Sequence, residues 1–273
     1  MKNDSQLKKT PSKSETSKNP SLKEEDLVYG TAACESLFRS RPSDIKKVYL
    51  EQRLVGKFSG LLKYCSKSKI AYKVVDSSAL ENLTASTHHE GILLYSAKKK
   101  IWTPENWMNA KGSDSTNMLF LDEVGNPHNI GALLRTAVHF NFAAAAVYAE
   151  NFPSFSKALA RVAEGALEHI DIIKVSNSDK FFHSYKKNGY YVVGTSSHSK
   201  QNMSEADTPK PCILTLGNEV SGISGKTKSW CDELFTIAGS GKVESLNVSV
   251  AGALFMNEIY KKSFKDKEKN GRS

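Results

Sequence analysis

MLFLDEVGNPHNIGALLRTAVHFNFAAAAVY, residues 118–148, is the stretch whose pattern decides the fold. MLFLD (118–122) is an apolar run without alternation, as in a strand covered on both faces. NIGALLRTAVHF (129–140) carries helical spacing, and AAAAVY (143–148) is a second apolar strand. Apolar strands alternating with helices build a mostly parallel sheet with helices on both faces. One residue resists the pattern. Arg135, flanked by Leu133, Leu134 and Ala137, reads as a cation set inside an apolar helix face. A snorkelling arginine accounts for that setting as well as a functional one does.

The same alternation continues downstream. SKALARVAEGAL (156–167) reads as a helix, IDIIKV (170–175) as a strand and FFHSYKKN (181–188) as a helix. YYVVGT (190–195), CILTLG (212–217) and LFTIA (234–238) read as strands, before a long helix from about 245 to 262. Upstream lies a smaller α/β unit with strands KKVYL (46–50), IAYKVV (70–75) and GILLYS (91–96), between the short helices YGTAACESLFRS, FSGLLKYCSKS and ALENLT. AKKKIWTPENWMNAKGSDSTN (97–117) breaks the periodicity and reads as a linker whose two tryptophans pack on one unit or the other, with stacking on bases as the alternative. The expected division is a disordered basic tail (1–26), a small domain (27–96), a linker (97–116), a larger α/β domain (117–262) and a second basic tail (263–273).

Cysteines at 34, 65, 212 and 231 form no CxxC pair and no zinc or disulfide spacing, so a reducing cytoplasm is the expected compartment. No apolar run is long enough to span a bilayer, and the N-terminal stretch lacks a signal-peptide core. The net charge is +9: residues 1–25 carry six Lys against four acids, residues 261–273 six bases against two acids, and only +3 remains for 26–260. Such tails raise affinity for nucleic acid or act as solubilising ends, and charge alone leaves both open.

In open parallel sheets ligands sit beyond the carboxyl ends of the strands, which here are LDEVGNPHN, LGNEVSG and IAGSGKVESLN. The GKT at 225–227 is not a phosphate loop, because Val220 stands where its first Gly must be. GSGKVE (239–244) lacks a third Gly, having Glu244 instead. These glycines let backbone approach a ligand closely. Taken alone, Glu219 reads as a solvated acid and Ser245 as a helix N-cap, which leaves Asn247 unexplained. His88, His89, His128 and His139 have no carboxylate or cysteine at ligand spacing, so no metal is expected.

Together the three segments resemble the signature motifs of the SpoU (TrmH-like) RNA 2′-O-ribose methyltransferases of the SPOUT superfamily. LDEVGNPHNIGALLRTA (121–137) resembles the first motif, ILTLGNEVSGIS (213–224) the second and FTIAGSGKVESLNVSVA (235–251) the third. Residues 28–96, with YGTAACESLF and HHEGILL, resemble the small ribosomal-protein-like RNA-binding domain of that family. The resemblance implies a deep trefoil knot in the C-terminal sheet, a homodimer, and S-adenosylmethionine held at Thr195, Leu216, Gly217, Ile237 and Leu246. It places Arg135 as the residue that activates a ribose 2′-hydroxyl. A guanidinium stays charged, so it is expected to stabilise the developing alkoxide while another group accepts the proton. By the same resemblance Asn129 and Glu219 hold Arg135 and the loops, Glu219 as counter-ion, and Ser245 and Asn247 orient the ribose or its phosphate. One departure is Asn126, where the family more often has Asp before its Pro; Asn and Asp both favour that turn. The expected function is methylation of ribosomal or transfer RNA, and the competing one is a silent RNA-binding or ribosome-assembly factor on the same fold.

Overall fold

The computed structural model describes residues 25–112, 116–150, 163, 165–206, 208 and 211–270, with side chains to residue 262. The N-terminal tail up to residue 24 and most of the helix expected over 156–167 lie outside these residues.

A four-stranded sheet comes first: β1 (Glu25–Tyr29), β2 (Ile45–Leu50), β3 (Ala71–Val74) and β4 (Ile92–Ala97), in the order β1-β4-β2-β3. β4 runs antiparallel to β1 and β2, while β2 and β3 are parallel. Helices α1 (Thr31–Ser40), α2 (Ser59–Lys67) and α3 (Ser77–Thr84) connect the strands. Alternation along β4 sends Ile92 and Leu94 to a core with Leu37 of α1 and Leu61 of α2, and Leu93 to the opposite face beside Leu80 of α3. The acidic start of β1 hid this strand from pattern reading.

The second sheet has seven strands, all parallel, in the order β11-β9-β10-β6-β7-β8-β5. In chain order these are β5 (Ile101–Trp102), β6 (Met118–Asp122), β7 (Ala144–Tyr148), β8 (Asp171–Val175), β9 (Tyr191–Thr195), β10 (Cys212–Gly217) and β11 (Glu233–Phe235). The helices are α4 (Pro104–Lys111), α5 (Pro127–His139), α6 (Ser178–Lys187), α7 (Gly225–Lys228) and α8 (Val248–Asn270). All five residues of β6 are buried, because each face has its own core. Leu119 and Leu121 meet Leu133 of α5 and Phe255 of α8, whereas Phe120 meets Phe181 and Phe182 of α6. Each of these large apolar side chains contributes about 1.5–3 kcal/mol through burial.

Two findings differ from the sequence reading. The stretch 97–116 carries β5, at the edge of the seven-stranded sheet, and α4. Asp171 gathers it, accepting from Trp102 Nε1 (3.1 Å), Trp107 Nε1 (3.0 Å) and Lys111 Nζ (2.8 Å). A two-residue strand is too short to show a period, so only these side chains reveal it. The last helix starts at Val248 rather than near 245 and runs on to Asn270.

The two units meet at the 3₁₀ turn Ala166–His169, which packs against both α1 and α5. Arg41 donates from Nε to Glu168 Oε2 (2.6 Å) and from Nη2 to Glu168 Oε1 (3.2 Å), with side chains 17% and 6% exposed. It also donates to the carbonyl of Ala97 (2.8 Å) and to Asp44 (3.0 Å). Gly165 (φ +83°) lies so near α1 that a Cβ there would stand 2.6 Å from Ser36 Cβ, and Ser36 Oγ donates to its carbonyl.

Candidate active site

β6 and β10 are neighbours, with Gly217 opposite Asp122, so the loops that leave their carboxyl ends start side by side. After β6 the chain turns through Glu123, whose φ of 60° is left-handed. Asn126 then caps α5, its side chain accepting from the amide of His128 (2.9 Å), with Pro127 in the first helical turn. The asparagine that departs from the family pattern therefore still performs the capping that an aspartate would.

Asn218 organises the second loop and ties it to the first. Its Oδ1 accepts from the amides of Val220 (2.9 Å) and Ser221 (3.2 Å), and its Nδ2 donates to the carbonyl of Glu123 (3.1 Å). Asn218 and Gly222 also exchange backbone bonds of 3.1 and 2.9 Å. This closes the loop over Gly217, where a Cβ would collide with the backbone of Gly222 and Ile223. Below it Asp122 is buried, and its Oδ2 accepts from the amide of Ser224 (2.7 Å). Asn218 and Asp122 were missed as organisers. The signal for them was an amide between Gly and Glu, and an acid ending an apolar strand.

Across these loops runs a chain of polar side chains. Asn129 Nδ2 donates to Glu219 Oε1 (2.6 Å), and Asn247 Nδ2 donates to Asn129 Oδ1 (3.3 Å). Residues 90 and 118 positions away along the chain thus converge on the first turn of α5. Asn247 Oδ1 also accepts from the amide of Ser249 (2.9 Å) and from its hydroxyl (2.5 Å), which makes Asn247 the cap of α8. Ser245, expected to be that cap, instead lies in the exposed loop before it, since the helix begins three residues later.

Arg135 stands six residues beyond Asn129 on α5, about 9 Å along the axis and about 240° around it. The buried face of α5 is Ile130, Gly131, Leu133, Leu134 and Ala137, and Arg135 is exposed outside it. The apolar neighbours suggested enclosure because they are adjacent in sequence. Residues one or two apart point in different directions on a helix.

Of the residues expected to hold a cofactor, Thr195, Leu216, Gly217 and Ile237 lie at or just beyond the ends of β9, β10 and β11, and Leu246 lies in the loop before α8. Thr195 pairs with Phe235 across the sheet, and its hydroxyl donates to the carbonyl of Thr215 (3.1 Å). Leu216 and Gly217 are buried at the end of β10, and Ile237 packs on the same core as Leu216. Leu246 is 46% exposed beside the third loop.

Residues 116–257 match the SpoU rRNA Methylase family, and residues 27–102 match the family described as RNA 2′-O ribose methyltransferase substrate binding. An uncharacterised tRNA/rRNA methyltransferase of Escherichia coli O157:H7 is 31% identical over 240 residues, covering 88% of this chain and 69% of the relative. A 23S rRNA (guanosine-2′-O-)-methyltransferase of Shewanella oneidensis is 29% identical, covering 87% of this chain and 97% of the relative. Among solved structures, the SpoU methyltransferase AviRb from Streptomyces viridochromogenes, in complex with AdoMet, superposes with a TM-score of 0.75 at 17% identity. That match covers 90% of this chain and 93% of AviRb, and it speaks to the fold.

Proposed function

The chain belongs to the SpoU rRNA methylase family, and on that premise we propose that it methylates a ribose 2′-hydroxyl in structured RNA. The observation that carries this reading is the chain Glu219–Asn129–Asn247, which joins three distant segments at the carboxyl edge of a parallel sheet. Capping α8 uses only Oδ1 of Asn247, and a silent binding factor needs no further chain joining its Nδ2 to Asn129 and Glu219. The 23S rRNA 2′-O-methyltransferases among the relatives that align over nearly their whole length favour ribosomal over transfer RNA as the substrate.

In this reading Thr195, Leu216, Gly217, Ile237 and Leu246 hold S-adenosylmethionine, which supplies an electrophilic methyl group when bound. Arg135 stays cationic and stabilises the alkoxide that develops on the ribose oxygen. Glu219 fixes the amide of Asn129, which in turn orients Asn247, so these groups are placed before the RNA arrives. Ser245, in the exposed loop before α8, contacts the ribose or its phosphate. The segment 27–96 binds RNA, and 117–262 is the knotted methyltransferase domain. The exposed apolar positions Val250 and Leu254 of α8 are where a second copy docks to form a homodimer. The protein works in the cytoplasm, and no described helix is long and apolar enough to cross a membrane.

The test is transfer of radiolabelled methyl from S-adenosylmethionine to total RNA of a strain lacking the protein, followed by nuclease mapping. Label on a ribose with the wild type, lost with Arg135→Ala, is the expected result. RNA binding without label, together with poor cofactor binding by the wild type, moves the protein to the assembly-factor reading.

A further inference from the structure

The net charge of the folded part is unevenly shared. Residues 25–97, the small unit, carry ten Lys and Arg against eight Asp and Glu, whereas residues 98–260 carry sixteen of each. The small unit is therefore the cationic one, and its sheet is not covered equally on both sides. On one face Val28, Val48, Leu50 and Leu94 are sealed by α1 and α2. On the other, Leu80 and Leu83 of α3 pack with Tyr29 and Leu93, and Leu27, Tyr49 and Tyr95 lie only partly buried against that cluster.

Strand register defines what remains on that second face. Leu27 lies opposite Tyr95, Lys47 opposite Tyr95, Tyr49 opposite Leu93, and Lys73 opposite Tyr49. Leu27, Tyr49 and Tyr95 are half-buried, and Lys47 and Lys73 are exposed. The two tyrosine rings meet edge to face with centroids 6.1 Å apart, and Lys47 Nζ stands 4.8 Å from the centre of the Tyr49 ring. Among the described strand residues one acid, the half-buried Glu25, shares this face at its far edge. The packed part of each ring serves the fold, and the part left in water is apolar surface beside two cations. A polyanion with flat apolar bases gains from both the rings and the lysines.

We propose that this sheet face, which the described residues cover only in part, with Tyr49 and Tyr95 as its floor and Lys47 and Lys73 at its margin, is a platform on which unpaired nucleotides of the substrate RNA stack. The proposal rests on RNA being the substrate, and it adds where and in what form the RNA is read. Base stacking on aromatic rings tolerates any sequence and needs unpaired bases, so the platform selects a loop or bulge over a duplex. The lysines contact phosphate and set register without reading bases.

The test measures binding of the full chain to a fluorescein-labelled single-stranded oligoribonucleotide, and to the same strand annealed to its complement. Tyr95→Ala and Tyr49→Ala are expected to weaken single-strand binding about tenfold each, with Tyr95→Phe near wild type and the duplex little changed. Lys47→Glu and Lys73→Glu, on exposed side chains that cannot unfold the sheet, are expected to weaken binding and flatten its salt dependence. An oligonucleotide carrying 5-iodouridine is expected to crosslink to Tyr49 or Tyr95. Unchanged affinity in the lysine variants, equal losses in Tyr95→Phe and Tyr95→Ala, or a crosslink mapping elsewhere would each overturn the platform. In those cases the face belongs to a protein partner or a second copy. The same preparations assayed for methyl transfer separate the two readings: crosslinking without methylation defeats only the enzyme, and methylation without crosslinking defeats only the platform.

Discussion

Replacing Arg41 by Ala tests how firmly the two units are joined. The substitution removes both bonds to Glu168, at 2.6 and 3.2 Å, together with those to Asp44 and the Ala97 carbonyl. Glu168 is left a carboxylate only 6% exposed. Breaking a buried ion pair by deleting one partner costs about 3–5 kcal/mol. Because Arg41 is itself 17% exposed, water can enter the vacated space, and we expect about 2–3 kcal/mol. For a chain of this size that lowers Tm by about 5–10 °C. Urea denaturation of Arg41→Ala, Glu168→Gln and the double variant measures the coupling, expected to exceed about 1 kcal/mol. Hydrogen exchange should show the Glu168 amide, bonded to the Gly165 carbonyl at 3.0 Å, losing protection first. Cofactor affinity should be unchanged while methyl transfer to RNA falls. A loss below about 0.5 kcal/mol, or strict additivity with Glu168→Gln, would refute the reasoning that this pair is the joint.

Three further outcomes are expected. Gly217→Ala should weaken S-adenosylmethionine binding at least tenfold by calorimetry, because its Cβ forces the Asn218–Gly222 loop off the sheet; wild-type affinity would show that the loop adapts. Burial beside Asp232 pushes the Cys231 thiol up to about 12, so at pH 8 only about one molecule in ten thousand carries the thiolate, and iodoacetamide should label it far more slowly than the denatured chain. If the proposed homodimer forms through α8, the wild type should sediment as a dimer in analytical ultracentrifugation, and Val250→Glu with Leu254→Glu, on exposed positions of that helix, should leave the fold intact and yield a monomer; a monomeric wild type would refute the dimer.

Much of the architecture was legible because buried parallel strands announce themselves as apolar runs. MLFLD and CILTLG match β6 and β10 residue for residue. What the pattern could not carry was any element held by side chains rather than by period. Trp102 and Trp107 belong to the larger sheet because Asp171 accepts from both, a contact across more than sixty residues. In the site, Asn129, Glu219 and Asn247 were identified by motif, and their mutual bonds depend on which strands are neighbours. Arg135 looked enclosed for want of an angle around the helix axis, and Asn247 looked unexplained because the start of α8 was placed three residues early.

The placement of β10 between β6 and β9 has a consequence for biogenesis. Its partner contacts span long intervals, such as the Cys212 amide to Asn117 across 95 residues and the Ser224 amide to Asp122 across 102. Non-local pairings of this kind are slow to form and leave sheet edges open meanwhile. A ribosome releasing this chain delivers β6, β7 and β8 long before the strand that must slot in beside them. The half-made sheet waits with an unpaired edge until residues beyond 212 emerge. A chain ended before residue 212 keeps that edge of β6 unpaired, and an open strand edge is a template for pairing with other chains.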